Sequence, residues 1–286
     1  MNGGAGKLMN DICVLHANCQ GEVLKSLLDR SSEFTKKFTI HYYVNYTREA
    51  IAPSDIENCS LFLYQNLGPH FGDLSSAVLL SRIPQSCQAI RIPNLFFKGY
   101  WPFWMNDVKI IEFADSVLER LIALKLDPQE ILRMYLSGAH PAFNTIRETA
   151  KSSLAQDLEK LRDTGFSTVQ SLFESLWQKE QLFYTINHPG LRLSVAVAND
   201  LLRLLSLPRL NARDLQGFVH PYADFIHPIH PIVGTHLSLP FTGAAVTYPV
   251  YGKMMTHKNF VLAYLTCRLL NVSNFAAYLN QIYKIP

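Results

Sequence analysis

Over the first hundred residues, short apolar runs alternate with stretches of helical period. Residues 11–16, 38–44, 60–65 and 88–92 are dominated by apolar and β-branched side chains and read as strands. Residues 20–30 and 73–83 space their apolar positions three and four apart and read as helices. A strand–helix–strand rhythm of this kind predicts a parallel sheet joined by right-handed crossovers, so the expected fold class is α/β.

After residue 115 the period becomes helical. Val117, Leu118, Leu121 and Leu124 form one stripe, and Ile131, Leu132 and Tyr135 a second. Residues 146–161 form a third, and Val169, Leu172, Phe173 and Leu176 a fourth. Asp127 before Pro128 has the form of an N-cap followed by proline at the first helical position, and Thr164-Gly165 reads as a stop. These stripes predict a helical insertion or cap at about 115–178. It falls within a single α/β domain spanning 11–286, behind a flexible N-terminus at 1–10. Further on, 181–186 is strand-like, 189–205 is an amphipathic helix opening at Pro189, and 258–270 and 273–283 are helices. The long Pro- and His-rich stretch at 208–249 has little period, and a segment of that kind in a compact domain is more often a functional loop than a linker.

Composition narrows the function classes. A chain of 286 residues that is 48% hydrophobic and 12% aromatic can bury a sizeable core. Its formal charge of +3 comes from scattered Lys and Arg rather than from runs, which argues against a nucleic-acid partner. The longest apolar stretches, such as 259–270, fall well short of the ~20 residues of a membrane span, and no apolar leader follows the Gly-rich start. Cys13, Cys19, Cys59, Cys87 and Cys267 are odd in number and contain no CxxC pair, so reduced thiols in a cytoplasmic protein are expected. The spacing of His220, His227, His230, His236 and His257 matches no metal-ligand set, and no metal is expected.

The chemistry gathers at His16-Ala17-Asn18-Cys19-Gln20-Gly21. A strand running into this segment and then a helix puts backbone N–H groups at a helix N-terminus, the usual ligand position in an open α/β sheet. Ala17 and Gly21 allow close approach, and the helix dipole at Cys19 favours a thiolate, which makes Cys19 a candidate nucleophile or transition-state contact. Gln65, at a strand end, can donate to an oxyanion or a sugar hydroxyl, or be satisfied by backbone. The segment 92–104 carries Phe96, Phe97, Tyr100, Trp101, Phe103 and Trp104 around Lys98; it reads either as core or as a platform for a sugar ring or adenine, with Asn94 and Lys98 adding polar contacts. Five histidines precede proline, namely His140, His188, His220, His227 and His230. Among them His188 follows a strand-like run and opens a helix. It is therefore expected at the sheet's carboxyl edge near Cys19, as a general base.

These motifs in order resemble the WcbI-type acetyltransferases of polysaccharide biosynthesis. The resemblance rests on the strand followed by His16-Ala17-Asn18-Cys19-Gln20, Leu63-Tyr64-Gln65 and Ile92-Pro93-Asn94-Leu95. It continues through Gly99-Tyr100-Trp101-Pro102 and Asn187-His188-Pro189, with a weaker echo at Pro228-Ile229-His230-Pro231. It implies an α/β fold distantly similar to SGNH-type hydrolases, coenzyme A or acetyl-coenzyme A bound as a substrate, and acetylation of a sugar hydroxyl in a capsular polysaccharide precursor. By that similarity Cys19 stands at the nucleophile position and His188 at the base. Thr185 occupies the place of the usual acid, so no full triad is drawn. His16, Ala17, Gly21, Gln65, Asn94 and Lys98 are the expected coenzyme A contacts, with Asn18 and Gln20 beside Cys19 and His188 at the reacting centre. For the cofactor's phosphates the available cations are Lys25, Arg91, Lys98, Arg192, Lys253 and Lys258. A glycan esterase of the SGNH kind and a non-catalytic glycan-binding protein are the competing readings. Oligomeric state has no sequence signal.

Overall fold

The computed structural model describes residues 10–106 and 111–282. Residues 1–9 of the expected flexible N-terminus, and Tyr283 at the end of the expected last helix, lie outside the described residues. Contacts divide the chain into two compact units where the sequence reading drew one domain with a cap. The first comprises 1–94, 160–171 and 191–219, and the second 95–159, 172–190 and 220–286.

The first unit is built on a four-stranded sheet, β1 (Asp11–Ala17), β2 (Phe38–Val44), β3 (Cys59–Tyr64) and β4 (Gln88–Arg91). The spatial order is β2-β1-β3-β4 and every pair is parallel. Val14 and Leu15 of β1 and Leu61, Phe62 and Leu63 of β3 are fully buried, as expected for strands covered on both faces. Helices α1 (Gln20–Leu28), α2 (Ser32–Lys37), α3 (Pro53–Asn58) and α4 (Ser76–Arg82) lie between the strands in sequence. On one face, Val14 and Phe62 pack with Ile56 of α3 and Leu79 of α4. α1 buries Val23, Leu24, Leu27 and Leu28. The short helices α2 and α3 escape sequence reading because six residues hold less than two turns of hydrophobic period.

In the second unit, α5 (Ser116–Ala123) is capped by the Asp115 carboxylate, which accepts from the amides of Val117 and Leu118. α6 (Pro128–Ser137) opens as expected on Asp127, with Pro128 in its first turn, and closes on Gly138 at φ 68°, a left-handed conformation. Two further helices, α7 (Ile146–Leu161) and α8 (Ser167–Leu176), each span a unit boundary. The strand expected at 181–186 is β5 (Phe183–Thr185), and it pairs antiparallel with β6 (His188–Pro189) rather than joining the parallel sheet. The helix expected to open at Pro189 is α9 (Leu191–Leu204), in the first unit. Within the expected irregular stretch the chain forms α10 (Pro231–Leu237). β7 (Thr247–Val250) and β8 (Lys253–Thr256) then make a second hairpin, followed by α11 (His257–Leu269) and α12 (Phe275–Ile282). Among the described residues no helix is long and apolar enough to cross a membrane.

Candidate functional site

In the first unit β1 has β2 on one side and β3 on the other, so the connections leaving β1 and β3 run to opposite sides and make the carboxyl ends of these two strands the switch point of the sheet, the usual ligand position in such a fold. A carboxamide stands just beyond the end of every strand: Asn18 after β1, Asn45 after β2, Gln65 after β3 and Asn94 shortly after β4. Gln65 is fully buried. Its Oε1 accepts from the Asn18 backbone amide at 2.8 Å and from Asn45 Nδ2 at 3.2 Å. Its Nε2 donates to Asn18 Oδ1 and to the Pro93 carbonyl, both at 3.2 Å. All four hydrogen-bonding positions of the amide are taken, so Gln65 acts as a strut: of the two readings the sequence left open, the satisfied strand-end amide holds, and the donor to a ligand is corrected. Asn18 Nδ2 donates to Asn94 Oδ1 at 3.1 Å, and Gln20 Nε2 approaches the same oxygen at 3.5 Å. The side chains left toward solvent are Asn18, Cys19 and Gln20, which are half-buried, and Asn94, which is exposed.

The turn is tighter than the expected cradle of amides. The Gln20 amide donates to Asn18 Oδ1 at 3.0 Å and the Gly21 amide to the Asn18 carbonyl at 2.8 Å. With the Asn18 amide on Gln65, three of the N–H groups expected to face a ligand are used within the turn. Ala17 and His16 are buried and shape the turn rather than present side chains. A Cβ at Gly21 would stand 2.7 Å from Ala17 Cβ and 2.7 Å from Tyr42 Cε2, so Gly21 serves close helix–strand packing. Tyr42, whose hydroxyl donates to the Asn18 carbonyl at 2.6 Å, and Asn45 were missed from the sequence. The signal available for Asn45 was its place one residue beyond a strand.

Cys19 is the N-cap of α1. Burial pushes its thiol up to about 11, outweighing the backbone amides of Cys19 and Gln20 that favour the thiolate. The expected dipole-stabilised thiolate is therefore corrected to a thiol. Burial also holds His16 down to about 4, so its imidazole is neutral. Of the cations proposed for phosphates, Lys25 pairs with Asp29 at 2.6 Å and Arg91 donates to the Arg162 carbonyl at 3.2 Å.

His188 lies in the second unit, in the β5–β6 hairpin. The expectation that His188 follows a strand of the parallel sheet is corrected, because β5 pairs with β6 and is not one of that sheet's strands. His188 Nδ1 lies 2.9 Å from Thr185 Oγ1, and its ring stacks on Tyr222 at 4.0 Å between centroids and 5° between planes. Burial and the neighbouring His220 hold it down to about 4. In the same unit the Lys98 amide donates to Ser153 Oγ at 2.8 Å, and Lys98 Nζ sits 5.6 Å from the centre of the Trp104 ring. Phe97, Tyr100, Trp101 and Phe103 are buried; Phe97 meets Tyr100, Phe173, Trp177 and Phe183. These four rings are core, not a platform. Among the described residues no group of three or more His, Cys, Asp or Glu is placed to hold a metal ion.

Residues 12–210 match the family described as "Polysaccharide biosynthesis enzyme WcbI". A solved structure with TM-score 0.69 and 15% identity covers 96% of this chain and 95% of that one. It is described as "Structural insights into WcbI, a novel polysaccharide biosynthesis enzyme", the native protein without a disulfide bond between coenzyme A and one of its cysteines. At that identity the likeness speaks for the fold. No curated protein matches the chain by sequence.

Proposed function

Because the chain belongs to the WcbI family of polysaccharide biosynthesis enzymes, we propose that it is a coenzyme A-dependent O-acetyltransferase acting on a sugar hydroxyl. The observation that carries this reading is the turn at the switch point of the sheet, where Cys19 opens α1 beside the carboxamides of Asn18, Gln20 and Asn94. The related structure, whose description pairs coenzyme A with a cysteine, supports placing the thioester there.

In this reading the sugar oxygen attacks the thioester carbonyl as its proton passes to a general base, the role proposed for His188 from its sequence motif, and collapse of the tetrahedral intermediate expels coenzyme A as the thiolate. The half-buried Gln20 and Asn18 amide groups supply N–H donors for the oxyanion. A Cys19 thiol held near 11 is a poor nucleophile at neutral pH, which favours direct transfer with Cys19 positioning the thioester. Calorimetric titration with coenzyme A and acetyl-coenzyme A tests the premise. Dissociation constants at or below micromolar, about −8 kcal/mol, that weaken in Cys19→Ala support it. No binding of either would sink it and leave the esterase or glycan-binding readings.

A further inference from the structure

At His140, His188, His220 and His230, each followed by proline, Nδ1 lies within hydrogen-bonding distance of a partner, and the four divide into two kinds. His140, His220 and His230 each turn Nδ1 onto the backbone amide two residues ahead, accepting from Ala142 at 3.1 Å, Tyr222 at 3.2 Å and Ile232 at 3.0 Å. An Nδ1 that accepts carries no hydrogen, so these rings hold their proton on Nε2. His230 shows the consequence, with Nε2 placed 3.2 Å from the Tyr135 carbonyl.

His188 departs from this pattern. The amide two residues ahead, that of Gly190, donates instead to the Leu182 carbonyl at 2.7 Å, and Nδ1 faces Thr185 Oγ1. The single hydroxyl hydrogen of Thr185 goes to Asn187 Oδ1 at 3.0 Å. Toward the imidazole, Thr185 Oγ1 is left to accept, which requires a hydrogen on Nδ1.

We infer that Thr185 and Asn187 are positioning residues that set His188 in the Nδ1–H tautomer, with the lone pair on Nε2, the reverse of His140, His220 and His230. Thr185 thereby performs the orienting task usually given to a carboxylate, but as a neutral group: it fixes which nitrogen receives a proton without adding charge beside the ring. Thr185 is buried, and its hairpin is held by further backbone bonds, Phe97 donating to the Ile186 carbonyl and His227 to that of Tyr184, each at 2.8 Å. The functional meaning of the tautomer rests on the proposed role of His188 as base.

The test is nitrogen NMR on protein labelled at histidine nitrogens, with the His188 signals assigned by their loss in His188→Gln. The expected wild-type result is a hydrogen-bearing Nδ1 and a lone-pair Nε2 for His188. Thr185→Val, which removes the acceptor, is expected to shift His188 to the opposite tautomer, and Thr185→Ser to restore it. A wild-type His188 with its hydrogen on Nε2 overturns the inference, as does a Thr185→Val protein that keeps the original tautomer. The wild-type spectrum decides even where the valine variant fails to fold. Acetyl transfer that survives His188→Gln would instead remove the base assignment and leave the tautomer standing.

Discussion

At Cys19 two effects of opposite sign meet. The N-terminus of α1 and two backbone amides favour the thiolate, and burial opposes it and wins, lifting the thiol to about 11. At pH 7 about one molecule in ten thousand carries the thiolate. Alkylation of Cys19 in the unliganded protein is therefore expected to be slow at pH 7 and to rise about tenfold per pH unit up to its midpoint; a midpoint below pH 8 in iodoacetamide kinetics contradicts this. The strut beneath the turn is the second residue-scale case. Gln65→Leu removes all four side-chain bonds and leaves the buried Asn45 amide and the Asn18 N–H without their acceptor. We expect a loss of about 2–3 kcal/mol in urea unfolding, together with weakened coenzyme A binding. A stable variant with unchanged binding would show that the carboxamide network does not shape the site. The turn itself was legible as a motif. The direction of the Cys19 shift was not, because desolvation is set by neighbours far off in sequence.

Elements show the same division. Asp127 before Pro128 announced the start of α6 because cap chemistry is local, and the structure has the Asp127 carboxylate accepting from the Gln129 amide at 2.8 Å. Asp127→Ala is expected to cost about 1 kcal/mol of stability, read from the thermal or urea midpoint, and Asp127→Asn or Ser to recover most of it. At α1 the constraint is steric: Gly21→Ala puts a methyl 2.7 Å from both Ala17 and Tyr42. It is expected to shift α1 away from β1 and lower coenzyme A affinity more than stability; equal affinity in titration would argue that the turn tolerates the shift. The hairpin carrying His188 escaped the sequence reading for a different reason. A three-residue strand has almost no period, and nothing local states whether its partner is the parallel sheet or the two residues His188–Pro189.

For the molecule as a whole, buried histidines make stability depend on acid, and three of them lie in the second unit. His227, His230 and His257 are buried. Burial holds His227 down to about 3 and His230 down to about 4, and His257 well below its usual value. Their folded-state values lie under those of the unfolded chain, so each is neutral when folded and protonated when unfolded below about pH 6.5. Stability is full above that pH and is lost as pH falls toward the folded values. The slope is about 1.4 kcal/mol per pH unit for each histidine. Denaturant titrations should show a fall of about 2 kcal/mol per histidine between pH 6.5 and 5 and a flat response from 7 to 8. A stability that does not change between pH 7 and 5 would mean that these rings are already protonated in the fold.

What the sequence by itself determined was local: the α/β class and the bounds of the main strands, from continuous apolar runs; the cap of α6, from short-range hydrogen bonding; and the turn at 16–21 with its family, from an ordered set of motifs. Tertiary structure alone decided the order β2-β1-β3-β4, which brings Asn18, Asn45, Gln65 and Asn94 from four separate strand ends into one network. It alone decided that Gln65 is a strut, that Cys19 is a thiol and that Thr185 faces His188. Strand pairing and desolvation depend on partners distant along the chain, and a one-dimensional pattern does not carry those distances.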